Sequence, residues 1–379
     1  MISDRASRSD DHHHATPSAT KKQQANTMIK LGYVALGFGR STYPRRSHRV
    51  DRAMLGYSFG VPTPGSARAV ILGTGVSGMT TALCLAEAGM DVRIVADMPH
   101  AFTTSAIAGA LWGPYVSDDP RVLDWSLDSL PDLMEVSRNE TSGVRFARGV
   151  EAARSAVKPP GWLRQVTDFA LCAPADLPPG YGFGWTYSAP LFDMPVYLDY
   201  LYGRLTRSGV EIDIVDAPVR SFREVARDAE IIVNCTGLGS RTLVPDATVT
   251  TAWGQLVVVD NPGIDGFFSD FPESQEPTYF IAHHDHVILG GHVAYERTDA
   301  RPDDDVADRI LERCCEVEPL LGRCRIIGHR VGLRPVRPRV RLEQEERDST
   351  LILHNYGHGG SGVTLSWGCA RHVQALIGC

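Results

Sequence analysis

Residues 69–78 read Ala69-Val70-Ile71-Leu72-Gly73-Thr74-Gly75-Val76-Ser77-Gly78. Four consecutive apolar residues are what a strand buried on both faces of a parallel sheet needs. G-x-G-x-x-G follows at once. A stretch with Met79, Ala82, Leu83 and Ala86 on one helical face comes next, closed by Gly89. A second strand, Val92-Arg93-Ile94-Val95, ends at Asp97, nineteen residues beyond Gly78. Strand, glycine turn, helix, strand and acid make a complete Rossmann-like βαβ opening. Gly73 makes the turn, Gly75 lets a pyrophosphate approach the backbone, and Gly78 lets helix and strand pack closely. The helix start then faces the phosphates, while Asp97 accepts hydrogen bonds from the adenosine ribose. The motif predicts an ADP-containing dinucleotide without separating FAD from NAD.

The whole chain has 379 residues, 43% hydrophobic and 22% charged, which is globular composition and rules out wholesale disorder. No run approaches the roughly eighteen apolar residues of a membrane span. The net charge of −7 argues against nucleic acid as a main partner. Charge is uneven: residues 1–66 hold ten Lys/Arg against four Asp, a net of +6, leaving −13 for the rest. That head, with its His12–His14 tract, has no sustained period and is expected to be a disordered or dispensable extension. Met28 and Met54 offer later starts. The eight cysteines form no CxxC pair, so buried free thiols in a reducing compartment are expected. No secretory segment opens the chain, and the cytoplasm is the default.

Further on, Tyr197–Arg207 reads as a helix, Glu211–Val215 as a strand, and Glu230–Gly237 as a strand ending in a small-residue turn. Gln255–Val259, Tyr279–Ala282 and Val287–Leu289 read as antiparallel strands, and Asp304–Cys315 as a helix. Leu351–Leu353 is a strand before a last helix, Val363–Ile377. The expected fold is therefore α/β, a Rossmann-like dinucleotide domain interleaved with an antiparallel-sheet domain. The first takes 67–118, 196–247 and 333–379; the second, the substrate domain, takes 119–195 and 248–332.

Two further clusters carry chemistry. Thr103-Thr104-Ser105 and then Gly109-Ala110-Leu111-Trp112 suit a polar crest near a cofactor. The segment Ile352-Leu353-His354-Asn355-Tyr356-Gly357-His358-Gly359-Gly360-Ser361-Gly362 runs from a strand into a Gly-rich turn that opens a helix. Amides exposed there stabilise an electron-rich ring edge. At this point the chain resembles the D-amino-acid oxidase family. The match to that family's C-terminal signature is complete, and other segments extend the resemblance over nearly all of 67–379. Gly332-Leu333-Arg334-Pro335 looks like its substrate-arginine segment. Val233-Asn234-Cys235-Thr236-Gly237 looks like its second cofactor strand. Tyr279 opens a strand leading to Gly290-Gly291, as the family's active-site tyrosine does.

The resemblance implies non-covalent FAD. Its contacts would be Gly73, Gly75, Val76, Ser77, Gly78, Asp97, Met98, Thr103, Thr104, Ser105, Gly109, Ala110, Leu111, Val219, Thr236 and Gly237 from the first two thirds of the chain. Gly359, Gly360, Ser361, Gly362, Val363 and Thr364 would complete them. Arg334 would hold the substrate α-carboxylate through a bidentate pair, which a planar fork orients and a lysine does not. Tyr279 would donate to the same carboxylate, and the Gly360 carbonyl would accept from the amine. The implied reaction is oxidative deamination of a D-amino acid to the 2-oxo acid and ammonia, with dioxygen reduced to hydrogen peroxide. Substrate and dioxygen are the implied partners. Family members differ in assembly, so the oligomeric state stays open, with a homodimer among the options.

Departures bear on the substrate. The second tyrosine that vertebrate-type relatives carry on an active-site lid falls at Gln275, and Ser361 stands where the family has a tyrosine beside the flavin. Val293 replaces a pocket cation of the D-aspartate branch, and Tyr115 a histidine of that branch. Neutral D-amino acids are therefore expected. The alternatives are D-aspartate, glycine or N-methyl amino acid oxidation, and, outside enzymes, a catalytically silent FAD-binding protein. His283-His284-Asp285-His286, with His292 nearby, reads as a solvated hairpin turn where three side chains do not easily converge, so no metal is expected. The C-terminus lacks the Ser-Lys-Leu type of peroxisomal address, in keeping with a bacterial cytoplasmic enzyme.

Overall fold

The computed structural model describes residues 67–114, 119–166, 168–270, 276–295 and 297–378. The extension 1–66, Tyr115, Gln275 and Cys379 lie outside the described residues. Five strands form a parallel region: β1 (Arg68–Leu72), β2 (Asp91–Ala96), β6 (Glu211–Ile214), β7 (Ile231–Asn234) and β13 (Thr350–His358). They stand in the order β13-β7-β1-β2-β6, every neighbouring pair parallel. Val70–Leu72 and Ile231–Val233 are buried throughout, as their unbroken apolar character requires of strands covered on both faces.

Eight more strands continue the same sheet: β3 (Val144–Ala153), β4 (Ala170–Leu171), β5 (Phe183–Phe192), β8 (Thr250–Asp260), β9 (Phe267–Asp270), β10 (Tyr279–Ala282), β11 (His286–Gly290) and β12 (Ile326–Arg347). Their order is β4-β5-β3-β9-β10-β11-β8-β12, antiparallel except where β3 meets β9. β12 is the joint between the two regions. Its first half pairs with β8 from Ile326 to Val336, and its second half pairs with β13 from Arg341 to Arg347. Arg334 stands near the changeover, on the one strand that joins the antiparallel region to the edge of the parallel one.

The helices are α1 (Val76–Glu87), α2 (Val122–Ser137), α3 (Met194–Arg207), α4 (Ser240–Leu243), α5 (Asp304–Val317) and α6 (Gly362–Ile377). The first and last helices meet where α1 packs on α6. Thr80 Oγ1 donates to Ser366 O at 3.1 Å, and Asn355 Nδ2 donates to Thr81 Oγ1 at 3.1 Å. α2 lies on the other side of α6, close enough that Gly368 N donates to Ser129 Oγ at 2.8 Å. An edge-to-face chain of Trp112, Trp162, Tyr187 and Phe267 fills the space between this layer and β3–β5. α5 covers the opposite face of the antiparallel region, burying Val306, Ala307 and Ile310 against Val257, Val259 and Leu289. It is capped by Asp303, whose carboxylate accepts from Val306 N at 3.2 Å.

No helix of the described residues is long and apolar enough to cross a membrane. All seven described cysteines are free; Cys84, Cys235, Cys314 and Cys369 are buried as expected, whereas Cys172, Cys315 and Cys324 are half-exposed. The latter three lie in loops or on the outer side of α5, where apolar neighbours on one side only do not enclose them.

Candidate active site

At its first and third glycines the opening turn is sterically closed to any side chain. A β-carbon on Gly78 would stand 2.0 Å from Gly73 O, and one on Gly73 would stand 2.7 Å from Cys235 O. Strand, helix and the end of β7 therefore meet at van der Waals distance, with the α1 start facing outward. No side chain of Gly75 caps α1. Ser105 supplies a hydroxyl from the next loop, accepting from Val76 N at 3.0 Å. Ser77 and Gly78 complete the first turn. Thr74 Oγ1 donates to Met98 O, tying the turn to the exposed end of β2 where Asp97 stands.

Other predicted contacts gather around this cradle. Thr103 folds back on His100 O at 2.8 Å, and Thr104 Oγ1 reaches Leu333 O at 3.4 Å. Gly109 packs on Leu256 and Ile288, while Ala110 and Leu111 run beside β5. Thr236 is held by Asn234 Oδ1 at 2.7 Å, and Gly237 faces Pro335. Val219 packs into the apolar cluster of Leu72, Val95 and Phe222. At the far end, Gly359 N donates to Pro335 O at 2.9 Å, Gly362 and Val363 begin α6, and Thr364 Oγ1 accepts from Gly113 N at 3.3 Å. Ser361 does not cap α6 with its side chain. Two helix starts without their own side-chain caps, each opened by a glycine-rich turn, offer free amides that suit the anionic groups of a dinucleotide.

Arg334, Tyr279 and Gly360, the residues expected to meet the substrate, form a second group. On β12 Arg334 pairs with Ala252, and its guanidinium lies over Gly254, where a β-carbon would come within 2.0 Å of Nη1. That Nη1 is buried without a hydrogen-bond partner. A buried N–H left unpaired costs about 1–3 kcal/mol, and a carboxylate answers it directly. Gly360 lies alongside, 3.8 Å from the Arg334 Cδ as measured from a β-carbon built there. Tyr279 pairs with Gly290, and its ring covers that glycine so closely that a β-carbon would meet Cζ at 2.2 Å. Burial pushes the Tyr279 hydroxyl up while nearby Arg334 pulls it back, so it stays a protonated donor. Arg334, Tyr279 and Gly360 are thus neighbours although they lie 81 residues apart in sequence from first to last.

Two further residues against Arg334 carry no motif in the sequence. Tyr295 also feels the Arg334 charge while burial raises its hydroxyl. It is carried there by Ala294, which exchanges two backbone bonds with Trp253 at 2.8 and 3.0 Å. Gly254 is the other. Its clue is a glycine inside an otherwise apolar strand, a sign of close approach. The reading of 283–286 as a solvated turn holds for exposed His284 and Asp285. It fails for His283 and His286, buried because the closing pair of the turn points into the sheet face.

Residues 68–376 match the model of the DAO family, described as FAD dependent oxidoreductase. A D-amino-acid oxidase of Rubrobacter xylanophilus is 42% identical over 315 residues, covering 82% of this chain and 96% of the relative. A D-amino-acid oxidase of Streptomyces coelicolor is 40% identical over 311 residues, 81% of this chain and 95% of its own length. Among solved structures, a glycine oxidase from Bacillus cereus superposes with a TM-score of 0.67 over 82% of this chain and 95% of that one. At 18% identity that likeness speaks for the fold.

Proposed function

Because the chain belongs to the FAD dependent oxidoreductase family, we propose that it oxidises neutral D-amino acids to 2-oxo acids, ammonia and hydrogen peroxide. The observation that carries the reading is Arg334 Nη1, buried and unpartnered beside Tyr279 and Gly360. Bound FAD would accept the hydride and pass its electrons to dioxygen. The chain's own residues bind and orient. Gly73, Gly75 and Gly78 with the α1 start would hold the pyrophosphate, and the Gly359–Gly362 turn with the α6 start would face the ring edge. Arg334 takes the substrate carboxylate through its planar fork, Tyr279 and Tyr295 donate to the same anion, and the Gly360 carbonyl accepts from the amine.

With carboxylate and amine fixed, only one enantiomer presents its α-hydrogen towards the cofactor while its side chain fits the remaining space. Stereochemistry is then a matter of orientation. The Cα–H bond gives up a hydride and the nitrogen loses a proton. The resulting imino acid takes up water and releases ammonia, and dioxygen takes two electrons and two protons. The half-buried apolar Val293 supports neutral over acidic side chains. The free cysteines support a reducing compartment, and with it the cytoplasm.

The test is an anaerobic visible spectrum of the holoenzyme before and after D-alanine and then L-alanine. Flavin bands that bleach with the D form alone support the reading. Bleaching by D-aspartate or glycine only would move the substrate to those, and bands that persist with every amino acid would leave an FAD-binding protein without this activity.

A further inference from the structure

His283 and His286 close a two-residue turn between β10 and β11, with His283 N donating to His286 O at 2.8 Å. Residues directly opposite in such a pair project on one face of the sheet. The two imidazoles accordingly stack, centroids 4.7 Å apart and planes 24° from parallel. They are 6% and 7% exposed, and the Nε2 atom of each is buried with no hydrogen-bond partner. Unsatisfied buried nitrogens are rare in native proteins and call for a reason. His286 Nδ1 lies 2.7 Å from the Asp285 carboxylate, which places the proton on Nδ1 and leaves the Nε2 lone pair to accept. A third group arrives from another part of the chain. Asp193 precedes α3, makes no side-chain cap bond to it, and turns its carboxylate towards the two rings. One ligand atom from each of the three residues lies within 4.8 Å of the others.

We infer that Asp193, His283 and His286 form a binding site for a divalent transition metal of the zinc class. Two imidazole nitrogens and one carboxylate are a zinc-type donor set, whereas magnesium and calcium take oxygen ligands. Zinc–nitrogen bonds of about 2.0–2.1 Å put tetrahedral ligand atoms roughly 3.3 Å apart, so small side-chain rotations close the site. Asp285 behind His286 is the carboxylate–imidazole arrangement that orients metal-bound histidines. Two cations face the cluster. Arg145 is committed to Ala282 O at 2.7 Å and to Asp265 at 2.9 Å, and Arg330 has Asp193 as its nearby opposite charge. Their repulsion acts on any divalent ion alike, so the affinity must come from the two imidazole lone pairs, which favours a metal bound through nitrogen. Arg330 is four residues along β12 from Arg334, about 13 Å at strand rise. The site therefore ties the β10–β11 hairpin to the start of α3 and is separate from substrate binding.

Cobalt(II) is the probe, titrated into full-length holoenzyme stripped of metal with EDTA. The site predicts one equivalent giving tetrahedral d–d bands on the red side of the flavin absorption. Affinity for that equivalent should fall tenfold or more in each of H283Q, H286Q and D193N, variants whose flavin spectrum and metal-free unfolding temperature report that they are folded. Zinc should raise the unfolding temperature of the parent and not of the variants. Replacing His12, His13 and His14 by Gln should leave the bands in place. Absence of bands at one equivalent, bands that survive H283Q and H286Q together, or bands lost with the His12–His14 replacement would overturn the assignment.

Discussion

The Arg334 guanidinium lies against the backbone of Gly254, on the neighbouring strand, with no room for a β-carbon between them: one built there meets Nη1 at 2.0 Å and Cζ at 2.6 Å. β8 thus sets the position of the proposed substrate anchor by what it omits. Gly254→Ala should push the guanidinium out of place without touching the flavin cradle. The expected outcome is a fall in kcat/KM of about 10–100-fold, mostly in KM, because a misplaced anchor weakens binding and orientation together. Flavin content should match the parent. Gly328→Ala, on the same β12 but with nothing within 4 Å, is the control and should be near neutral. Equal kinetics for Gly254→Ala and the parent would remove Arg334 from the site.

Tyr279 poses the same question from the other side. Its ring covers Gly290, and its hydroxyl stays protonated in the field of Arg334. Tyr279→Phe keeps the ring and removes one donor to the substrate carboxylate, which is worth about 1.5 kcal/mol or a tenfold rise in KM. Gly290→Ala displaces the whole ring and should cost more. Steady-state kinetics with D-alanine read both, and Tyr295→Phe in the same series reports whether the second hydroxyl shares the load.

The cofactor half of this arrangement is far more legible in the sequence than the substrate half. A βαβ turn is local: the apolar run 69–72, the three glycines and Asp97 lie within thirty residues, and the steric reason for Gly78 is the carbonyl of Gly73 five residues before it. Gly254, Tyr295 and Asp193 meet partners 39 to 93 residues away in sequence, across strands whose order β10-β11-β8-β12 no periodicity reveals. α2 escapes a pattern reading because Pro131 sits inside it and its buried face includes Ser126 and Ser129, which hydrogen-bond to Val122 O and Trp125 O. The burial of His283 and His286 is likewise invisible locally. A turn of three histidines and an aspartate looks solvated until Asp193 and Arg330 are known to lie above it.

The cradle makes its own prediction. Gly78→Ala places a β-carbon 2.0 Å from Gly73 O, a backbone atom that cannot move without opening the β1–α1 turn. The variant should purify largely as apoprotein, with FAD affinity at least about a hundredfold weaker. Ser105→Ala is the mild counterpart. It removes the acceptor of Val76 N at 3.0 Å, a helix-start bond worth about 1 kcal/mol, or about fivefold in FAD affinity. The absorbance ratio of flavin to protein and an FAD titration of the apoprotein measure both, and a fully loaded Gly78→Ala would show that the turn does not bind the cofactor.

His358 links the site to pH. It sits at the end of β13, just before the Gly359–Gly362 turn, with Nε2 3.0 Å from Asn355 Oδ1, and burial pulls its pKa down to about 4. Above the ordinary histidine value of about 6.5, folded and unfolded chains both hold it neutral and it costs nothing. As pH falls from there towards 4, the unfolded chain takes up a proton that the folded chain refuses, so stability declines, by about 2 kcal/mol at pH 5. Below about 4 the folded form protonates too and the decline from this group ends. His358→Gln keeps a donor for Asn355 and has nothing to titrate. Urea unfolding of the two holoenzymes at pH 7 and pH 5, both saturated with FAD, should therefore show the parent losing about 2 kcal/mol more than the variant. Parallel losses would mean that His358 is protonated in the fold, and that the turn before α6 carries a positive charge of its own.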